Sequence, residues 1–129
     1  MQKWIRIGIL GVFIIGLLIY LITSLWIGSD VRRYCKSAQK LYKGNCVYAL
    51  SKLVDDKSMP FRDRNHAIWA LGQLGNSEAL TYLNKYYTGI VPEKESLDSG
   101  LSQYEMGKAI KLMQGGINIS ALVWRWGIK

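Results

Sequence analysis

Residues 61–83 read FRDRNHAIWALGQLGNSEALTYL, and their spacing decides the fold. Ala67, Ala70, Leu71 and Leu74 fall at i, i+3, i+4 and i+7, which makes one face of a helix over about 61–74 apolar. Gly75 can stop that helix and Asn76 can cap the next, because glycine tolerates a left-handed exit and an Asn side chain accepts from free amides. Ala79, Leu80, Leu83 and Tyr87 form a second stripe, on a helix over about 77–88. Two such helices joined by a tight stop bury their stripes by packing antiparallel.

The unit recurs on either side. Gly44-Asn45, a short spacer, then Ala49-Leu50 and Leu53 repeats the order of Gly75-Asn76, Ala79-Leu80 and Leu83, about 30 residues earlier. Ala109-Ile110 and Met113 repeat Ala67-Ile68 and Leu71. Further helices are predicted over about 30–43, 46–56 and 102–114, with Pro60 ending one run and a polar loop over 88–100. Ser102 and Glu105 have the spacing of a capping box. No stretch alternates as a strand does. The fold class is all-α, and helix pairs repeated at this period predict a short α-solenoid, each pair hiding its apolar face against its neighbours.

Residues 61–80 resemble the short HEAT repeats of the phycobilisome-lyase type: an Arg, then Ala67-Ile68-Trp69-Ala70-Leu71-Gly72, a hydrophobic residue, Gly75, and Ala79-Leu80 with Leu83. The resemblance covers residues 61–83 fully and its flanks loosely. It implies a stack of antiparallel helix pairs that holds other proteins, as scaffolds and adaptors of that family do. The lyases that gave the repeat its name attach bilin chromophores. A chain with only two to three repeats and an apolar leader departs from them.

That leader is IGILGVFIIGLLIYLITSLWI, residues 7–27, with no ionisable side chain except Tyr20. At 1.5 Å per helical residue it covers a hydrocarbon core of roughly 30 Å. Trp4 and Trp26 stand at its ends, where amphipathic rings favour the interface. It exceeds the roughly 7–15 apolar residues of a secretory signal, and its exit lacks a small-x-small cleavage site. A retained single-pass anchor over residues 1–28, in the membrane through residues 4–27, with the repeat domain over 29–129, is therefore expected. Lys3 and Arg6 close the short leading tail, which should stay in the cytoplasm, so the domain is expected on the extracytoplasmic side.

The net charge of +8 resolves on the same partition: +2 in the tail, +4 over residues 30–43, and +2 over 44–129. Arg32, Arg33, Lys36 and Lys40 form a basic collar suited to anionic headgroups. Basic and aromatic residues are not interleaved as a nucleic-acid platform requires, so no nucleic-acid partner is expected.

Catalytic chemistry finds little to work with. His66 is the one histidine, on a helix whose opposite face is apolar, and no His pair, phosphate loop or Ser/His/Asp set accompanies it. No catalytic residue, cofactor or metal site is expected. Cys35 and Cys46 are either one disulfide or two buried thiols. Trp69, Tyr82, Tyr86, Tyr87, Trp124 and Trp126 are candidates for a protein partner, since aromatics are enriched at interfaces, and equally for the edge of a small core. Residues 119–126 read as a cap on the open end of the array or as a membrane-interface or partner contact. The expected function is a non-catalytic, membrane-tethered adaptor or accessory subunit. The alternative is a lyase-like or chaperone-like assembly factor for a cofactor-bearing protein.

Overall fold

The computed structural model describes residues 2–128, with side chains described from Trp4 onward; the side chain of Lys3, counted in the basic tail, and residue 129 lie outside the described residues. All regular structure among them is helical. α1 (Gln2–Leu41) is a single helix of 40 residues, so the domain boundary expected at 28/29 falls inside an unbroken element. Extending an existing helix is cooperative, and one Gly costs only about 1 kcal/mol, so Gly28 does not end it. Its most apolar 18-residue window has a mean hydropathy of 2.6, and α1 is long and apolar enough to cross a membrane.

Past Asp30, α1 becomes part of the folded unit. Val31, Cys35 and Ala38 share its buried face. The chain turns back through residues 42–45, and Asn45 Oδ1 accepts from the Tyr48 amide at 2.8 Å to start α2 (Cys46–Asp55). The reach of Cys46 to Cys35 is met because α1 stops at Leu41, short of the expected residue 43: the two are a disulfide, with Cα atoms 5.2 Å apart. α3 (Phe61–Leu74) begins behind Pro60 and ends at Gly75, whose φ of 64° lies in the left-handed region. It is the central helix, packed against α1, α2 and α5. Arg64, in its first turn, is buried, its Nε donating to the Val54 carbonyl at the end of α2 at 2.8 Å.

The fourth expected helix is shorter than its stripe suggested. Ser77–Ala79 is a 3₁₀ turn, α4 is only Leu80–Leu83, and turns follow. Gln103 takes up the chain beyond those turns. Its Oε1 accepts from the Thr88 amide at 2.8 Å and its Nε2 donates to the Tyr86 carbonyl at 3.1 Å, so residues 86–88 are tied to the start of α5. α5 (Gln103–Met113) crosses α3 closely: a Cβ on Gly72 would stand 2.8 Å from Ala109 Cα. The last element, α6 (Ala121–Trp124), lies on α1.

Candidate functional site

A concavity of about 450 Å³ opens where α1, α3, the 88–102 segment and the start of α5 meet. Tyr34 of α1 and His66 of α3 stack at 4.8 Å between ring centroids, and Trp69, one turn along α3, meets Tyr34 edge-on at 6.1 Å. Tyr104 of α5 and Leu97 of the loop complete an apolar lining. Asp30, Glu95 and Glu105 supply carboxylates to the same cleft. Aromatic faces carry negative potential, so such a lining favours a cationic or flat apolar guest.

Asn65 builds the cleft. It occupies the apolar stripe of α3, in line with Ile68 and Gly72, and is buried. Its Nδ2 donates to the Leu97 and Gly100 carbonyls at 2.9 and 2.8 Å, and its Oδ1 accepts from the Ser102 amide at 2.8 Å. A buried amide must be satisfied, and here satisfying it fixes the far wall of the cleft. The capping box expected at Ser102 and Glu105 is half present. Ser102 Oγ accepts from the Glu105 amide at 3.0 Å, but the Ser102 amide goes to Asn65, and the Glu105 carboxylate reaches Lys108 at 3.4 Å. Glu95 joins the cap instead, accepting from the Ser102 hydroxyl and from the Gln103 amide at 2.7 Å, where a carboxylate complements the helix dipole. The rim thus keeps its negative character near Asp30, itself 3.0 Å from Arg33, and Glu105.

The sequence candidates divide on this geometry. Trp69 lines the cleft, and His66 does too, stacked on Tyr34 rather than isolated. Tyr82, Tyr86 and Tyr87 belong elsewhere. Tyr86 and Tyr87 are half-buried and pack against the core, the second of the two roles their spacing allowed. Tyr86 Oη donates to Asp55 Oδ1 at 2.7 Å, and Lys85, placed over the Tyr82 ring, pairs with the same carboxylate at 2.8 Å. The Lys85 ammonium holds the Asp55 carboxyl below its ordinary value, with Tyr86 adding to it, while hydrogen bonding to Asp55 and burial push the Tyr86 hydroxyl up. Nearby, burial and the Asp56 carboxylate raise Tyr42 to about 12.

Of the two roles open to the tail, Trp124 takes that of a cap, being 1% exposed and packed on the fold, whereas Trp126 is 81% exposed on its surface. Arg32, Arg33, Lys36 and Lys40 share one exposed face of α1, with Ser29 and Ser37 between them. Because α1 continues unbroken through them, they form a stripe along its axis rather than a ring at one level. Lys40 stands about 20 Å of helix beyond Ile27, while Arg32 donates to the Trp124 carbonyl at 3.2 Å.

Tyr34, Asn65, Glu95 and Tyr104 were not singled out from the sequence. Asn65 alone left a signal, a polar side chain at an apolar position; the others meet only through tertiary contacts. No protein-family model, curated protein or solved structure matches the chain.

Proposed function

We propose that the chain is a membrane-tethered, non-catalytic adaptor that holds a partner protein through the cleft between α1, α3 and α5. The cleft carries this reading: Tyr34, His66, Trp69 and Tyr104 give it aromatic walls, and Asp30, Glu95 and Glu105 give it an acidic edge. That combination suits a basic or aromatic side chain of a partner, the residue types that dominate interface energetics. The polar groups nearest it are already engaged in building it, Asn65 and Glu95 above all, which favours binding over bond-making.

The short HEAT-like array supplies the scaffold in this reading, and α1 supplies the tether. The Cys35–Cys46 disulfide supports an extracytoplasmic domain, since such bonds persist in oxidising compartments.

Purification of the full chain in mild detergent, with identification of co-purifying proteins, tests the proposal. A stoichiometric partner should accompany the wild type and be lost from Trp69→Ala with Tyr104→Ala, while the variant still melts cooperatively. A lone monomer, or a partner retained by the double variant, sinks it.

A further inference from the structure

Away from the cleft, one stretch presents an unusually apolar exterior. Ile117, Ile119, Leu122 and Trp126 are 88%, 61%, 68% and 81% exposed. The stretch is nevertheless fixed to the fold. Asn118 Nδ2 donates to Gln73 Oε1 at 2.8 Å, and Arg125 Nη2 donates to the Gln73 carbonyl at 2.8 Å. The Trp124 ring lies on Gly28, where any Cβ would collide with it. Four large apolar side chains held outward by an anchored backbone form a patch of the kind that marks an interaction surface.

α1 indicates what covers it. Tyr20 Oη donates to the Ile119 carbonyl at 2.8 Å. Tyr20 lies inside the uncharged run 7–27, about 10 Å of helix before its end at Ile27. Trp124, at the other end of the stretch, meets α1 just beyond that run, at Gly28. The stretch therefore climbs alongside the last two turns of the apolar run, with Ile119 level with Tyr20. A bilayer that takes up residues 7–27 also takes up Ile119 and its neighbours.

We infer that residues 117–126 are a second membrane contact, which seats the domain in the leaflet from which α1 emerges. The inference rests on α1 being the anchor. Lipid is the occupant because the patch is continuous with the apolar surface of α1, and because Arg32 and Arg125 stand toward its outer end, where anionic headgroups would lie. Trp126, near the same end, suits the interfacial belt.

Site-directed labelling of the full chain tests it, in nanodiscs of zwitterionic and anionic phospholipid loaded with one chain or with two. The native cysteines are bonded to each other, so a single introduced cysteine is the reactive one. Ile119→Cys and Leu122→Cys should resist a water-soluble polyethylene-glycol maleimide as fully as Leu18→Cys, while Thr81→Cys reacts; in denaturing detergent all four should react. Both test positions are exposed on the protein surface, so protection in the disc comes from lipid. Labelling of Ile119→Cys and Leu122→Cys at the rate of Thr81→Cys, with Leu18→Cys still protected, overturns the second contact alone. Labelling of Leu18→Cys overturns the anchor and the inference with it. Protection found only when a disc holds two chains assigns the patch to a second copy and likewise overturns it.

Discussion

Asn65 shows how a single polar side chain positions a site. Its amide and carbonyl oxygen together hold Leu97, Gly100 and Ser102, so the loop wall and the start of α5 share one anchor. Asn65→Ala would leave two carbonyls and an amide without partners, at a cost of about 2–4 kcal/mol. Asn65→Asp keeps the volume but cannot donate to the carbonyls, and should lose nearly as much. Thermal melts and limited proteolysis read both effects, with cleavage expected first within residues 88–100; variants as stable and protease-resistant as wild type would remove Asn65 from this role. Titration gives a second residue-level prediction. Tyr42, raised by burial and by its hydrogen bond to Asp56, holds its proton more tightly folded than unfolded. Its contribution to stability is therefore complete below pH 10 and is lost as pH rises toward about 12. Asp55 and Asp56 are lowered, by Lys85 and by the Ser58 hydroxyl first, so their contributions hold at neutral pH and disappear in acid below the ordinary value of 3.8. Melting temperature against pH should fall on both flanks, and Tyr42→Phe should flatten the alkaline one. An unchanged alkaline flank would show that Tyr42 is not its source.

At the level of elements, legibility followed how local each determinant is. The bounds of α3 come from Pro60, an unbroken 3.6-residue stripe and a left-handed Gly75, all present in its own residues, and the structure returns 61–74 as read. Residues 77–88, by contrast, end their helix at Leu83, and the bonds that hold residues 86–88 come from Gln103, twenty residues downstream of Leu83, which nothing within 77–88 announces. The continuity of α1 was hidden for a related reason. Gly28-Ser29-Asp30 looks like a junction, yet Gly28 is there because the Trp124 ring needs its missing side chain, a contact almost a hundred residues away. The disulfide also joins two elements whose separation the sequence left open. It closes a loop with a sequence separation of 11 between α1 and α2. Reduction, or Cys35→Ala with Cys46→Ala, should destabilise the domain by about 2–3 kcal/mol through the freed unfolded chain. Equal denaturation midpoints with and without reductant would show that the crosslink contributes nothing.

For the whole molecule, the decisive property is that α1 is shared, its leading part apolar and open, its trailing part a wall of the domain. Tyr20, Gly28 and Arg32 meet residues 119–124, and Val31, Cys35 and Ala38 meet the core, all along one helix in one rotational register. The orientation of the cleft relative to the apolar run is therefore set by helix geometry and not by a flexible stalk. Tyr34 of the cleft follows Ile27 by about 10 Å of helix, so under the proposed function a bound partner would lie close to the membrane surface. Register can be tested directly. Two alanines inserted between Ser29 and Asp30 rotate the preceding part of α1 by about 200° relative to the domain, at 100° per residue. Tyr20 and Gly28 then leave Ile119 and Trp124, and residues 117–126 lose their contacts with the part of α1 that precedes the insertion, keeping the Arg32 hydrogen bond. The same insertion after Ile15 turns only side chains that precede these contacts; a Cβ on Gly8, Gly11 or Gly16 meets nothing within 4 Å. The first insertion should lower the melting temperature and open residues 117–126 to protease, and the second should leave both unchanged. If the two insertions behave alike, the domain and the apolar run are not coupled through α1, and the cleft has no fixed orientation relative to that run.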